Sequence, residues 1–112
     1  MIDVHCHLNF HSFEKDYKDV IKRSFESGIE KIINTGTKID SSIKAVELAD
    51  QFSQLYAIIG VHPHHADKLE KNWLFKLETL SKNKKVVGIG ECGMDYYSIK
   101  RCISAATVWF WC

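Results

Sequence analysis

The feature that most constrains this chain is an alternation: short, β-branched apolar runs recur between longer segments whose apolar residues fall at helical spacing. The runs are Ile2 to His7, Lys31 to Gly36, Tyr56 to Val61 and Val86 to Glu91. Between the first two, Phe13, Tyr17, Val20, Ile21, Ser24 and Phe25 recur at three- and four-residue steps, and Gly28 supplies a stop. Asp40 is placed to cap a second helix with the stripe Ile43, Val46, Ala49 and Phe52, and Leu69, Trp73, Leu77 and Leu80 mark a third. Strand alternating with helix builds a parallel sheet covered by helices. Continuous apolar runs such as Ala57-Ile58-Ile59-Gly60-Val61 are what strands buried on both faces require. The chain reads as α/β, with about four βα units.

A length of 112 residues is enough for one core, so a single unit is expected. With 15 Lys and Arg against 14 Asp and Glu, the chain lacks the basic field that coats nucleic acid unspecifically. Any nucleic-acid role must come from a local site. No basic stretch followed by an apolar one opens the sequence, and no apolar run approaches the roughly 18 residues of a membrane helix. A cytoplasmic protein without a membrane partner is expected. Cys6, Cys92, Cys102 and Cys112 show no Cys-x-x-Cys spacing, so free thiols are expected.

Three chemical clusters end the strands. Side chains at i and i+2 of a strand share a face, so His5 and His7 converge while Cys6 points away, and Asp3 lies on the shared face one step deeper. Two imidazoles so placed suit a divalent ion, with Asp3 orienting a ligand from behind. The same spacing also suits two neutral histidines hydrogen-bonded at a strand end. Glu91 closes the fourth run between Gly90 and Cys92-Gly93, where a tight turn would present its carboxylate at the same rim. There it can bind a metal or polarise water; its plainer role is a surface carboxylate near a helix start. His62, His64 and His65 surround Pro63 at the end of the third run, and adjacent histidines cannot all point inward, so His65 is expected in solvent. Asp95, with Tyr96 and Tyr97, is within reach of a substrate phosphate or a metal-bound water, or belongs to a loop.

The motifs Met-Ile-Asp-Val-His-Cys-His-Leu, Asn-Thr-Gly-Thr, Gly-Val-His-Pro-His and Gly-Ile-Gly-Glu-Cys-Gly-Met-Asp-Tyr-Tyr occur in this order. Over Met1 to about Lys100 the chain resembles the TatD family of metal-dependent deoxyribonucleases, a branch related to the amidohydrolases. The resemblance implies the N-terminal half of a TIM-type β/α barrel that hydrolyses DNA phosphodiesters. His5, His7 and Glu91 match metal ligands, and Glu91 matches a bridge between two ions. The metal is magnesium, manganese or zinc, since mixed nitrogen and oxygen ligands suit several. His62 and His64 match positions near the substrate rim. The family pattern continues for more than another hundred residues, bringing two further histidine ligands and an aspartate that these 112 residues do not contain.

Residues 1–100 hold 28 of the 29 charged side chains, whereas residues 101–112 hold Arg101 alone together with two of the three tryptophans. This change reads as a truncated or frame-shifted tail after a partial barrel. Two further expectations follow. A catalytically inactive half-barrel would act as an interaction module, pairing as a homodimer through its sheet edge and apolar tail. A metal hydrolase of small amides or phosphate esters would keep the chemistry and change the substrate.

Overall fold

A computed structural model describes residues 1–93, so Asp95 and the tail lie outside the described residues. The order is β1 (Ile2–Cys6), α1 (Tyr17–Glu26), β2 (Lys31–Thr35), α2 (Ile39–Gln51), β3 (Leu55–Ile59), α3 (Trp73–Ser81) and β4 (Val86–Ile89), with 3₁₀ turns at His11–Phe13 and Pro63–Lys68. The strands form one sheet in the order β1-β2-β3-β4, and every pairing is parallel. This is a partial β/α barrel. No helix among the described residues is long and apolar enough to cross a membrane.

The core lies between the sheet and its helices. Leu55, Ala57 and Ile59 of β3 and Ile32 of β2 pack with Ala45, Val46, Leu48 and Ala49 of α2, Ile21 of α1 and Leu77 of α3. Each large side chain so buried stabilises the fold by about 1.5–3 kcal/mol. Alternation then turns Tyr56 and Ile58 to the concave face, where both are only partly buried. The expectation of strands buried on both faces therefore holds on the helix side only. The outer strands are more open still, with Ile2 and Val4 of β1 and Val87 and Ile89 of β4 exposed.

Four boundaries differ from the sequence expectation: the starts of α1, α2 and α3 and the end of β3. The residue before α2 is Lys38, and the hydroxyl of Ser41, not Asp40, accepts from the backbone N–H groups of Thr37 (2.9 Å) and Lys38 (3.0 Å). Phe13 and Leu69 belong to the apolar stripes by spacing but sit outside α1 and α3, in and just after the 3₁₀ turns. β3 stops at Ile59 because Gly60 turns to α2: its N–H donates to Ser42 Oγ (3.1 Å), and that hydroxyl donates to the Gly60 carbonyl (3.2 Å). The stop after α1 is as expected. Gly28 takes φ +92°, and the N–H groups of Gly28 and Ile29 close the helix on Phe25 and Ser24 at 3.0 and 3.2 Å.

Gly60 also makes room for β4. A β-carbon there would collide with the Gly90 carbonyl oxygen and lie 2.6 Å from its carbon. Because that neighbour is backbone, Gly60→Ala must push β4 away. We expect a loss of about 1–3 kcal/mol in urea unfolding, and an unchanged midpoint would show that β4 does not pass this close.

Candidate metal centre

The ladder between β1 and β2 slips: Asp3 pairs with Ile32, and Cys6, three residues on, pairs with Asn34, two residues on. Such a bulge re-aims the side chains that follow. Asp3 bends back, its Oδ1 accepting from the His5 backbone N–H at 3.1 Å, so its recorded contact is with the strand rather than with an imidazole. Cys6 turns inward, its Sγ 3.7 Å from the Ile33 carbonyl and 3.6 Å from Asn34 Oδ1. Burial pushes this thiol up to about 11. His5 and His7 converge, as their spacing predicts, with their Nε2 atoms 3.2 Å apart.

Glu91 reaches the same point from β4. Its Oε1 lies 2.8 Å from His5 Nε2 and 3.3 Å from His7 Nε2, and its Oε2 lies 3.5 Å from His62 Nε2. The segment before it is tied in by Gly90 N–H to the Ile59 carbonyl (2.8 Å), and Glu91 N–H reaches the Gly36 carbonyl at 3.3 Å. Candidate ligand atoms of His5, His7 and Glu91 all fall within 4.8 Å of one another.

Hydrogen bonding assigns the ring protons. Nδ1 of His7 is 2.9 Å from the Thr35 carbonyl, which can only accept, so Nδ1 carries a proton, and in the neutral ring Nε2 presents a lone pair. That lone pair faces Glu91 Oε1, another acceptor. Two acceptors 3.3 Å apart need a positive centre between them or beside them. A proton on Nε2 of His7 or of His5 meets that need, and so does a divalent cation on all three atoms, the donor set of two imidazoles and a carboxylate that zinc and related ions take. The residues fit a metal ion.

His62 is wired the other way. Its Nδ1 accepts from the His64 backbone N–H at 3.2 Å, so its Nε2 carries the proton and points it towards Glu91 Oε2. His62 is thus a donor that steadies the carboxylate. The ring of His64 meets His62 edge-on at 4.6 Å, on the exposed side of the turn. His65 is half-buried rather than solvated; burial first, and then the charge of Lys38, hold its imidazole below the usual histidine range.

Several residues of the site carried no signal in their spacing. Phe10 lies parallel on His7, ring centroids 4.4 Å apart and planes 14° apart. Asn9 donates to the carbonyls of Thr35 (3.2 Å) and Ser41 (2.8 Å), and Asn34 accepts from the Leu8 backbone N–H at 2.8 Å. These buried polar groups form a layer behind the histidines.

The model of the family described as TatD related DNase matches residues 2–107. The chain belongs to this family. It is 39% identical over 97 residues to the 3'-5' ssDNA/RNA exonuclease TatD of Yersinia pseudotuberculosis, covering 86% of this chain and 37% of that protein. It is 34% identical to the uncharacterized metal-dependent hydrolase YabD of Bacillus subtilis, over 87% of this chain and 38% of the relative. A crystal structure of a TatD homologue from Escherichia coli K12 superposes with a TM-score of 0.77 at 33% identity, covering 86% of this chain and 38% of the other. A TatD-family hydrolase of Entamoeba histolytica gives 0.80 at 28% identity, covering 89% and 39%. The TatD relatives are thus nucleases and metal-dependent hydrolases, and this chain spans less than two fifths of their length.

The inward turn of Cys6 has a measurable consequence. With its thiol pushed up to about 11, only about one molecule in a thousand is thiolate at pH 8, and thiolate is the reactive form. Peptide mapping after iodoacetamide at pH 8 should find Cys92, which is exposed, labelled well before Cys6. Equal labelling would contradict the buried geometry.

Proposed function

We propose that this TatD-family chain carries part of a divalent-metal site that hydrolyses phosphodiester bonds of single-stranded DNA, with His5, His7 and Glu91 as protein ligands. The observation that carries the reading is the facing pair of acceptors, His7 Nε2 and Glu91 Oε1, beside a second imidazole. The family description and the relatives named as single-strand exonucleases support nucleic acid over a small amide. A divalent ion held there supplies positive charge to phosphodiester oxygens and acidifies water.

The chain's own residues supply orientation. Thr35 fixes the His7 ring, Phe10 covers one face of it, and His62 directs an N–H at the second oxygen of Glu91. The two oxygens of Glu91 face different neighbours, Oε1 towards His5 and His7 and Oε2 towards His62. The one cluster of three such ligands found among the described residues is enough to hold one ion.

Metal content by plasma mass spectrometry, with parallel digestion of a labelled single strand, tests the reading. His5→Ala, His7→Ala and Glu91→Gln should each weaken binding of manganese or zinc by at least about tenfold. Lowering the pH should weaken it too, since protons compete for the same lone pairs. Parent protein that retains no more metal than the variants would refute the site, and turnover of a dipeptide without turnover of the strand would replace the substrate.

A second reading rests on the exposed edge residues Ile2, Val4, Val87 and Ile89. Four parallel strands are half the number that closes a TIM-type barrel, so two copies can join β4 to β1 at both seams. Sedimentation would then show a dimer in the parent and a monomer in Val4→Lys; a monomeric parent rejects the pairing.

A further inference from the structure

Against Phe10, whose ring stacks on His7, opens a groove of about 750 Å³, walled in part by Asn9, Phe10, Thr37, Lys38, Lys44 and His65. That volume lies within the range of sites that take small organic ligands. Its walls come from the segments that follow β1, β2 and β3, so it lies on the rim that carries His5 and His7. His5, His7, His62 and Glu91 do not line this space, although Asn9 and Phe10, which support His7, do.

We infer that the groove seats a nucleotide of the single strand, with Phe10 as the platform on which its base stacks. The inference rests on the proposed function and names a binding element for that substrate. One face of Phe10 lies against His7, yet the side chain remains 39% exposed and lines the groove. A base placed on the exposed ring surface would add an aromatic contact beside the stack on His7, and every base has a π face, so the contact tolerates any sequence.

The platform is held in place from both directions. Phe10 N–H donates to the His7 carbonyl at 3.0 Å, and its own carbonyl accepts from Phe13 N–H at 3.0 Å. Its neighbour Asn9 is buried and pinned to the Thr35 and Ser41 carbonyls. A rigid aromatic surface loses little entropy when a base settles on it.

Charge does not explain the groove as well as stacking does. Lys44 is engaged by Glu14 at 3.2 Å, Asp40 joins the lining, and the chain as a whole carries a formal charge of +1. Lys38 is left as the cation for one phosphate, so the aromatic contact must hold most of the nucleotide.

The test is fluorescence anisotropy with a short labelled single strand, in EDTA so that no cleavage intervenes. Phe10→Leu keeps an apolar cover on His7 but removes the aromatic face, and should weaken binding about tenfold. Phe10→Tyr should bind like the parent. Abasic sites stepped from the 3′ end should reveal one position where loss of the base costs the parent about the same and costs Phe10→Leu nothing more. If Phe10→Leu binds the strand like the parent and loses only metal affinity, Phe10 merely braces His7 and the inference falls. If the parent binds the strand but no abasic position singles itself out, the inference falls as well. A parent that binds no single strand removes the proposed substrate and this inference with it.

Discussion

The hydrogen bond from Nδ1 of His7 to the Thr35 carbonyl ties the chemistry to the fold. It decides which nitrogen of the neutral ring carries the proton, and so leaves the other free to accept. It also joins the end of β1 to the end of β2, so the ring can turn only if two neighbouring strands move. Asn9 binds the same carbonyl and continues to Ser41, whose hydroxyl organises the start of α2. The ligand geometry is thereby anchored in the sheet and in the first long helix behind it.

Around that bond, three histidines take three distinct roles by local wiring. As neutral rings, His7 keeps a lone pair at Nε2 and His62 a proton there, because one faces a carbonyl and the other accepts from a backbone N–H. His5 faces both His7 and the carboxylate and can carry either a proton or a bond to a cation. Glu91 joins all three, which explains why its approach is prepared so carefully: Gly60 stands aside, Ser42 holds Gly60, and Gly36 receives the Glu91 N–H.

Much of this was legible in the sequence. The strands announce themselves because their apolar runs are short and punctuated, and His5, His7 and Glu91 stand out because chemistry-bearing residues end such runs. The rest was hidden for physical reasons. The decisive partner of His7 is a backbone carbonyl, which every residue type possesses, so although Asn-Thr-Gly-Thr marks the segment, the role of Thr35 gives no side-chain signal. Ser41 and Asp40 both look like helix starters, and which one accepts the orphan N–H groups depends on how the chain leaves β2. His62 differs from His5 only through the N–H of His64, a contact that requires the turn at Pro63. Strand ends were overestimated where side-chain hydroxyls, such as that of Ser42, outcompete the ladder.

The parallel order of the strands has one more consequence. Neighbouring strands lie about 4.8 Å apart, so in a flat ribbon β1 and β4, three gaps apart, would be separated by about 14 Å. Yet Oε1 of Glu91 is 2.8 Å from the imidazole of His5. The contact is a chord drawn across a curled sheet, closed by the reach of two long side chains together with the curl at the three junctions. A small flattening anywhere, even at the far end where Lys85 grips the carbonyls of Phe52, Ser53 and Leu55, would part the two side chains at the mouth. The cluster therefore gauges the curvature of the whole sheet.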